Sequence, residues 1–451
     1  MAAKEKKSAK DKKFVCLAIA VFIFLLAIRL YPAMMNDYPK GSDSWYHLER
    51  SKEILQGDLF YDRLNAGGAL SAYPPLFHLM IMPVFFTADP LEAAKIVAPV
   101  TGFIALLAFF LFAKKLADEK SALAATFIFG ISVEIVNTAI FLAPQNAGFI
   151  LMFLALYSLL GNKKWAFAAC SILLALTHAL SFIIFVFIAL AIGWERKKLL
   201  LQSLAVAVLW ALGTKLAGAY SAIITINPIV LSQYAFGFSP LLLAMAVLGI
   251  GKSTKRLSFV FIALTAYSFF LGAYPERVFT FSIIPASLLA GIGFVKYWKL
   301  FSDEKAIQAG LVLVLVIASL FVFNYNYARA ELRQEDKAVL DWARQNTEKN
   351  ATIAARWQVS GSWIPFVAER KNILGSFQES VPDYMQRRHD LDAIFTSNDK
   401  ARIIETMGKY NATYIYVNEV EDVLLSPNSV KKFSSMFKEA AGNSYAHLYK
   451  I

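Results

Sequence analysis

Long apolar runs constrain this chain more than any other feature of its sequence. They recur from Phe14 onward, and several approach the about 20 residues that a helix needs to cross about 30 Å of hydrocarbon. Strands of a membrane barrel would alternate apolar and polar residues, and these runs do not. Composition agrees, because 57% of the 451 residues are hydrophobic and only 17% are charged. The sequence therefore predicts a polytopic α-helical membrane protein.

The positive charge of the chain lies in short clusters between the apolar runs. The formal net charge is +12, but lysine and arginine in such clusters mark cytoplasmic loops and do not indicate a nucleic-acid partner. Six lysines precede Phe14, so we expect residues 1–13 to be a cytoplasmic basic tail. The first span, 14–31, lacks a small-residue cleavage site, and a retained span is favoured over a signal peptide. Cys16 and Cys170 lie in apolar segments and predict no disulfide framework.

Alternation of the basic clusters predicts the membrane topology. Enough apolar chain for two crossings lies between consecutive clusters, which gives about eleven transmembrane helices within residues 14–325. Residues 32–90 are then a first outer loop, and its proline-interrupted segment YPPLFHLMIMPVFF is expected to lie at the outer surface. The run 165–194 is expected to form two short spans. We expect a plasma-membrane protein with its C-terminus outside.

Beyond the last apolar run the composition becomes mixed and polar. Residues 326–451 therefore predict a small, soluble, extracytoplasmic α/β domain. Its segments EDKAVLDWARQNTEKN and DKARIIETMGKYN have helical spacing, whereas ATIAAR and ATYIYVNE have the character of strands.

The first outer loop opens with the polar stretch SDSWYHL, from which an amphipathic helix bearing Trp45 is predicted. Gly57 suits the position just beyond the C-terminal end of this helix, where glycine is favoured. Asp43 has two interpretations. It caps the helix, as Ser42 or Ser44 also can, or it faces a cavity at the membrane–water boundary as a base or a metal ligand.

Three aromatic residues of the same loop are candidates for substrate binding. His47 follows Asp43 by one helical turn and can share its face, although a lone histidine also suits an interfacial position. Tyr73 and His78 belong to a rigid aromatic segment, for which structural support is the alternative role.

A second outer turn, FLAPQNAGF, is polar but carries no acid. Gln145 and Asn146 can cap the next span or hydrogen-bond a ligand, but they cannot bind a divalent ion as carboxylates do. Glu134, near the outer end of the preceding span, is a candidate for a metal ligand because an acid near lipid usually faces a cavity or a partner.

Two later segments complete the candidate residues. Glu276 and Arg277 lie at the outer start of a span, where a forked guanidinium suits a phosphate; snorkelling to the interface or an internal ion pair is the alternative. Trp357 and Trp363 in ARWQVSGSWI predict either a surface on which carbohydrate stacks or a pair of buried tryptophans.

These stretches together resemble membrane glycosyltransferases of the GT-C type, and most closely the archaeal oligosaccharyltransferase catalytic subunits. The likeness rests on SDSWYHL, YPPLFHL, PERVFTFSIIPASLLAGIGF and RWQVSGSWI in this order. By this resemblance Asp43 would be the catalytic acid of the first loop. Arg277 would hold the phosphate of the lipid-linked donor, and RWQVSGSWI would stand where the family recognises its acceptor.

The chain also departs from the family pattern. The family's second acidic motif falls on APQNAG, which has no acid, and the loop with a further metal-binding glutamate is reduced to GAYPER. The resemblance implies Mn²⁺ or Mg²⁺ as cofactor, with Asp43 and Glu134 as the acids available in the first two outer segments. Loss of the other acids leaves a simpler inverting transfer as the alternative to metal-assisted transfer to asparagine.

The predicted function is transfer of a sugar or oligosaccharide from a polyprenyl-phosphate or diphosphate donor, such as a dolichyl phosphate, on the outer face. Protein glycosylation is the nearest family activity, and transfer to a glycolipid or other glycan acceptor is the alternative. A transporter of a lipid-linked glycan and a non-catalytic partner subunit are further alternatives. Membrane lipids and the acceptor are the other expected partners.

Overall fold

The chain is described as a computed structural model. Its described residues are 2–71, 73–193, 195, 201, 205, 240–251, 254–270, 275–300, 332–356, 360–375, 381, 383–419 and 428–451.

Most of the described residues before position 301 are helical. The helices are α1 (Ala2–Met34), α2 (Ser42–Leu55), α3 (Leu76–Ile81), α4 (Pro90–Leu116), α5 (Glu119–Ile131), α6 (Val133–Ile140), α7 (Pro144–Leu160), α8 (Lys164–Thr177), α9 (Ala179–Gly193), α10 (Pro240–Gly249), α11 (Lys255–Phe270) and α12 (Pro275–Leu300). A 3₁₀ segment, Met82–Phe86, continues α3. The two-residue strands β1 (Tyr61–Asp62) and β2 (Ala69–Leu70) pair antiparallel in the loop between α2 and α3.

Three described helices are long and apolar enough to cross a membrane: Lys12–Met34, Pro90–Leu116 and Thr280–Trp298. The pair α5 and α6, bent by 67° at its break, would be a fourth if it is one span. The expected count of about eleven stays a prediction, because residues 206–239 and 301–331 lie outside the described part of the chain.

The run 165–194 forms two short helices, α8 and α9. The helical path ends at His178, whose backbone is extended (φ −153°, ψ 108°), and α9 begins at the next residue. The side chain of His178 lies near the break, with Nδ1 2.6 Å from the Ser181 Oγ. Two short apolar helices are therefore present in this run, whereas the expectation that each of them crosses the membrane stays a prediction, because both are shorter than the candidate spans.

Aromatic rings fill the centre of the helical bundle. Phe109 of α4 stacks on Phe129 of α5 with ring centroids 4.4 Å apart, and Phe153 of α7 meets Phe109 edge-on at 5.1 Å. All three side chains are fully buried. Such aromatic pairs contribute about 0.5–1.5 kcal/mol each beyond the area they bury.

One arginine lies inside this apolar bundle. Arg29 of α1 is fully buried and donates from Nη1 to the Leu25 carbonyl at 2.9 Å and from Nη2 to the Gly130 carbonyl at 2.8 Å. Gly130 is next to the last residue of α5, where carbonyls have no partner within their own helix. The arginine therefore satisfies a helix end within the bundle. The sequence analysis did not single it out.

The described residues after position 331 form a five-stranded sheet with helices. The helices are α13 (Gln334–Asn346), α14 (Tyr384–Thr396), α15 (Lys400–Gly408) and α16 (Ser429–Met436); the strands are β3 (Thr352–Ala354), β4 (Lys371–Asn372), β5 (Ala412–Asn418), β6 (Lys438–Gly442) and β7 (Ala446–Lys450). The strand order is β4-β3-β5-β7-β6, parallel at the first two pairings and antiparallel at the others. The helices and strands predicted at α13, β3, α15 and β5 are all present.

Helix α2 joins this C-terminal part to the rest of the molecule. Trp45 is fully buried between Tyr38 and Phe366, with ring centroids 6.4 and 5.7 Å away. One turn from the end of α2, Lys52 pairs with Glu369 at 2.5 Å. Trp45 therefore packs on the C-terminal part, whereas Leu48 of the same helix packs with Phe77 and Ile81 of α3, and Leu55 is exposed.

A second connection runs through Asn372 of β4. Its Oδ1 accepts a hydrogen bond from the Ala66 amide at 2.6 Å, and its Nδ2 donates to the Gly361 carbonyl at 2.6 Å. Asn372 is 1% exposed. A single buried amide therefore links the first loop to the SGSW segment.

Candidate functional site

The start of α2 is attached to the turn between α6 and α7. The Leu142 amide donates to the Ser44 Oγ at 2.9 Å, and Lys40 forms an isolated parallel bridge with Phe141. Gly41, between these contacts, has φ +79°, and a Cβ on it would lie 2.8 Å from the Phe141 ring. Only glycine fits this position without strain. The first loop and the polar turn PQNAG, separate in sequence, are thereby brought together.

Asp43 lies in the first turn of α2 and is exposed. It is the only exposed residue from Gly41 to Ile54, and residues 44–51 are all buried. Among the described residues, none forms a hydrogen bond or ion pair with its carboxylate. The N-cap is Gly41, and no side chain makes a capping hydrogen bond. The capping interpretation of Asp43, Ser42 and Ser44 is therefore wrong: the Ser44 hydroxyl instead donates to the Lys40 carbonyl.

The predicted residues around the α6–α7 turn differ in their environment. Asn146 is 2% exposed and donates from Nδ2 to the Thr138 carbonyl at 2.8 Å and the Phe141 carbonyl at 3.3 Å, so it holds the turn. Gln145, in the first turn of α7, and Glu134, in the first turn of α6, are half-buried. Their roles toward a ligand stay predictions.

His47 and His78 form a buried pair beneath the aromatic residues of the loop. The His47 Nδ1 lies 3.0 Å from the His78 Nε2, and the rings are 2% and 1% exposed. Tyr73 meets His47 edge-on at 5.1 Å. Burial and the positive charge of Arg50 lower the pKa of His78 to about 3, and burial also lowers the pKa of His47. The pair is therefore a neutral imidazole–imidazole contact that connects α2 to α3.

This pair predicts a loss of stability on acidification. Between pH 6.5 and the lowered pKa of His78, about 3, the unfolded chain binds a proton that the folded chain does not. Acidification from pH 7 to pH 5 is therefore expected to lower the free energy of unfolding by about 2 kcal/mol through His78. Unfolding of the purified protein at both pH values, with wild type beside His78→Asn, measures this effect. An equal loss in the two proteins would contradict it.

Three acids of the first loop form a buried group that the sequence analysis missed. Glu49, Glu53 and Asp62 each offer one oxygen within 4.8 Å of the others. Burial and the negative charges of Asp62 and Glu53 raise the pKa of Glu49 well above its usual value, and burial with the charge of Glu53 raises the pKa of Asp62 to about 7. The sequence offered one indication of this group: Glu49 and Glu53 are four residues apart and therefore share one face of α2.

The described residues contain no other group of three possible metal ligands within that distance. Asp43 and Glu134, the predicted ligands for Mn²⁺ or Mg²⁺, do not belong to the group.

The remaining predicted residues lie in or beside segments that are not fully described. Glu276 and Arg277 fall in the first turn of α12, but their side chains lie outside the described part of the chain, as does all of Trp357. Trp363 is 2% exposed and packs in the core with Trp45. Its ring is therefore buried, as one of the two sequence interpretations expected.

Similar proteins are found by structure and not by sequence. No protein-family model and no curated protein matches the chain. The oligosaccharyltransferase AglB from Archaeoglobus fulgidus, solved with an inhibitory peptide and a dolichol-phosphate, superposes with a TM-score of 0.67 at 13% identity, over 90% of this chain and 70% of that one. An Archaeoglobus fulgidus oligosaccharyltransferase solved with Zn and sulfate gives a TM-score of 0.64 at 15% identity, over 89% of this chain and 68% of that one.

A second kind of neighbour matches over its whole length. ArnT from Cupriavidus metallidurans, bound to undecaprenyl phosphate, gives a TM-score of 0.56 at 14% identity and covers 98% of both chains. These neighbours are GT-C glycosyltransferases, so the resemblance found in the sequence is confirmed at the level of the fold. The apolar helices and these membrane neighbours identify a membrane protein.

Proposed function

We propose that this chain is a membrane glycosyltransferase that transfers a sugar or oligosaccharide from a polyprenyl-linked donor. The observation that carries the proposal is Asp43: it is the one exposed side chain on a buried stretch of helix, and it adjoins the α6–α7 turn. The structural neighbours bound to dolichol-phosphate and undecaprenyl phosphate support the donor class. In this proposal residues 14–325 are the membrane part and residues 326–451 an outer α/β domain.

The proposed reaction needs one base and one cation. Asp43 removes the proton of the acceptor group as that group attacks the anomeric carbon of the sugar. The bond from this carbon to the phosphate oxygen breaks, and polyprenyl phosphate or diphosphate leaves with the bonding electrons. Arg277 stabilises the phosphate charge through its forked N–H donors. One displacement inverts the configuration at the anomeric carbon.

Protein glycosylation on the outer face is the proposed activity, because AglB has also been solved with a tethered acceptor peptide that contains the sequon NVT. An acceptor hydroxyl on a glycolipid or glycan is the second candidate. It is favoured by the absence of acids from the turn Pro144–Asn146. A metal supplies Lewis-acid assistance when bound, but transfer to a hydroxyl needs less activation than transfer to an amide.

The decisive experiment offers both acceptors to one enzyme. Membranes or purified protein receive a labelled polyprenyl-linked glycan extract with a sequon peptide or a lipid acceptor, in Mn²⁺, in Mg²⁺ or in chelator. Labelled peptide supports protein glycosylation, and labelled lipid alone supports the second candidate. Binding of the donor without transfer to either acceptor would contradict an enzyme and favour a transporter or a partner subunit.

Arg277→Ala is expected to weaken use of the donor. Charge-assisted hydrogen bonds contribute about 1.5–3 kcal/mol, so loss of the guanidinium predicts about 10- to 100-fold lower kcat/KM for the donor. Arg277→Lys keeps the charge but not the fork and is expected to recover part of the activity. The measurement is donor-dependent transfer by the three proteins. Unchanged kcat/KM in Arg277→Ala would remove Arg277 from the mechanism.

A further inference from the structure

The acids Glu49, Glu53 and Asp62 come from two elements on either side of one short loop. Glu49 and Glu53 are on α2, and Asp62 is in β1, which follows the loop 56–60. Their exposed fractions are 2%, 2% and 1%. Three carboxylates that converge within 4.8 Å, out of contact with water, repel each other strongly unless something of positive charge or a proton lies among them.

The charges of the protein itself do not balance this group. Arg50 is fully buried and pairs with Glu53, but its other hydrogen bonds go to the carbonyls of Tyr61 at 2.9 Å and Asp58 at 3.1 Å. Arg63 is half-exposed and pairs more closely with Asp58, at 2.8 Å, than with Glu53, at 3.8 Å. If all three acids are ionised, the one buried arginine leaves an excess of two negative charges, which a cation or bound protons must balance.

The hydrogen bonds of the group leave particular oxygens open. Glu53 accepts from the Arg63 amide at 2.9 Å and from Arg50, and the Asp62 Oδ1 accepts from the Asn65 amide at 3.0 Å. Both oxygens of Glu49 and the Asp62 Oδ2 accept no hydrogen bond from an amide, hydroxyl or cationic group of the described residues, and the side-chain neighbour of Glu49 is the second acid Glu53. A buried carboxylate without a donor is costly, so these oxygens need a proton or a bound cation.

We propose that Glu49, Glu53 and Asp62 bind one Ca²⁺ ion, which fastens α2 to β1. A divalent ion balances the excess of two charges. The ligands are all oxygens, which excludes a preference for the softer metals, and Ca–O distances of about 2.3–2.6 Å accommodate oxygens up to about 5 Å apart. Mg²⁺ requires a tighter octahedron and usually retains several waters. Asp43 is not a ligand, so this inference does not depend on the proposed function.

The experiment measures bound metal and thermal stability of the purified full chain, without reference to transfer. Protein stripped with EGTA is titrated with Ca²⁺, Mg²⁺ or Mn²⁺, and metal per chain is counted after dialysis. We expect about one Ca²⁺ per chain and a higher Tm in Ca²⁺ than in EGTA. Glu49→Gln and Asp62→Asn should bind Ca²⁺ at least about 10-fold more weakly.

The Tm of Glu49→Gln distinguishes two ways of relieving the repulsion among the three acids: a bound Ca²⁺ ion or a proton shared by the carboxylates. Glutamine resembles a protonated glutamate, so this variant should melt at or above wild type in EGTA and below wild type in Ca²⁺. A Tm at or above wild type in both solutions, or equal Ca²⁺ affinity, would overturn the proposal, as would stabilisation by Mg²⁺ but not by Ca²⁺. Glu405→Gln, on the exposed face of α15, is the matched control and should behave as wild type. Asp43→Asn should retain the Ca²⁺.

Discussion

Asp43→Asn is expected to lower the rate of glycan transfer by about 10²- to 10⁴-fold, which is the usual contribution of a general base. The substitution keeps the size and hydrogen-bonding atoms of the side chain but removes its ability to accept the acceptor's proton. Asp43 makes no capping hydrogen bond, so the start of α2 should be preserved. Stability and donor binding should therefore change little while turnover falls.

The measurement is single-turnover transfer with the acceptor that the wild-type protein uses. Asp37→Asn is the matched control, because Asp37 is also exposed and lies six residues earlier in the chain. The control should retain full activity. A similar loss in both variants would indicate a general effect of charge at this surface, and transfer by Asp43→Asn at the wild-type rate would remove the base from the mechanism.

Trp45→Ala is expected to lower the free energy of unfolding by about 3–5 kcal/mol, the range for large aromatic residues truncated in a core. Trp45 is fully buried, and its ring lies between Tyr38 and Phe366. The substitution leaves a cavity where α2 meets the C-terminal part. Its indole N–H has no partner among the described residues, so Trp45→Phe should cost much less than Trp45→Ala.

Denaturant unfolding of detergent-solubilised protein, together with limited proteolysis of the C-terminal part, tests this expectation. Trp165→Ala provides the comparison, because Trp165 is 89% exposed and its truncation should be close to neutral. Equal stability of Trp45→Ala and Trp165→Ala would show that α2 does not hold the C-terminal part.

Local patterns predicted the elements of this protein well. Helix α2 ends where Gly57 indicated, with φ +104° at that glycine. The helices and strands of segments such as Gln334–Asn346 and Ala412–Asn418 appear where their periodicity placed them. These features depend on neighbours within a few residues, which one sequence contains.

Contacts between distant segments could not be predicted in the same way. Gly41 lies against Phe141 of a distant segment, and the pairing of His47 with His78 depends on how α3 folds back onto α2. The burial of Trp363 beside Trp45 likewise requires the C-terminal part to dock on the first loop. The sequence identified most of these residues individually, but tertiary packing decided their partners.

The link through Asn372 has a consequence for biosynthesis. The Ala66 amide cannot form its native hydrogen bond until Asn372, 306 residues further along the chain, has been synthesised. At about 5–20 residues per second, the ribosome needs about 15 to 60 seconds to supply it. Through that interval Trp45 lacks its contact with Phe366, one of the two rings that flank it in the folded protein. The packing of α2 against the C-terminal part is therefore completed only late in translation.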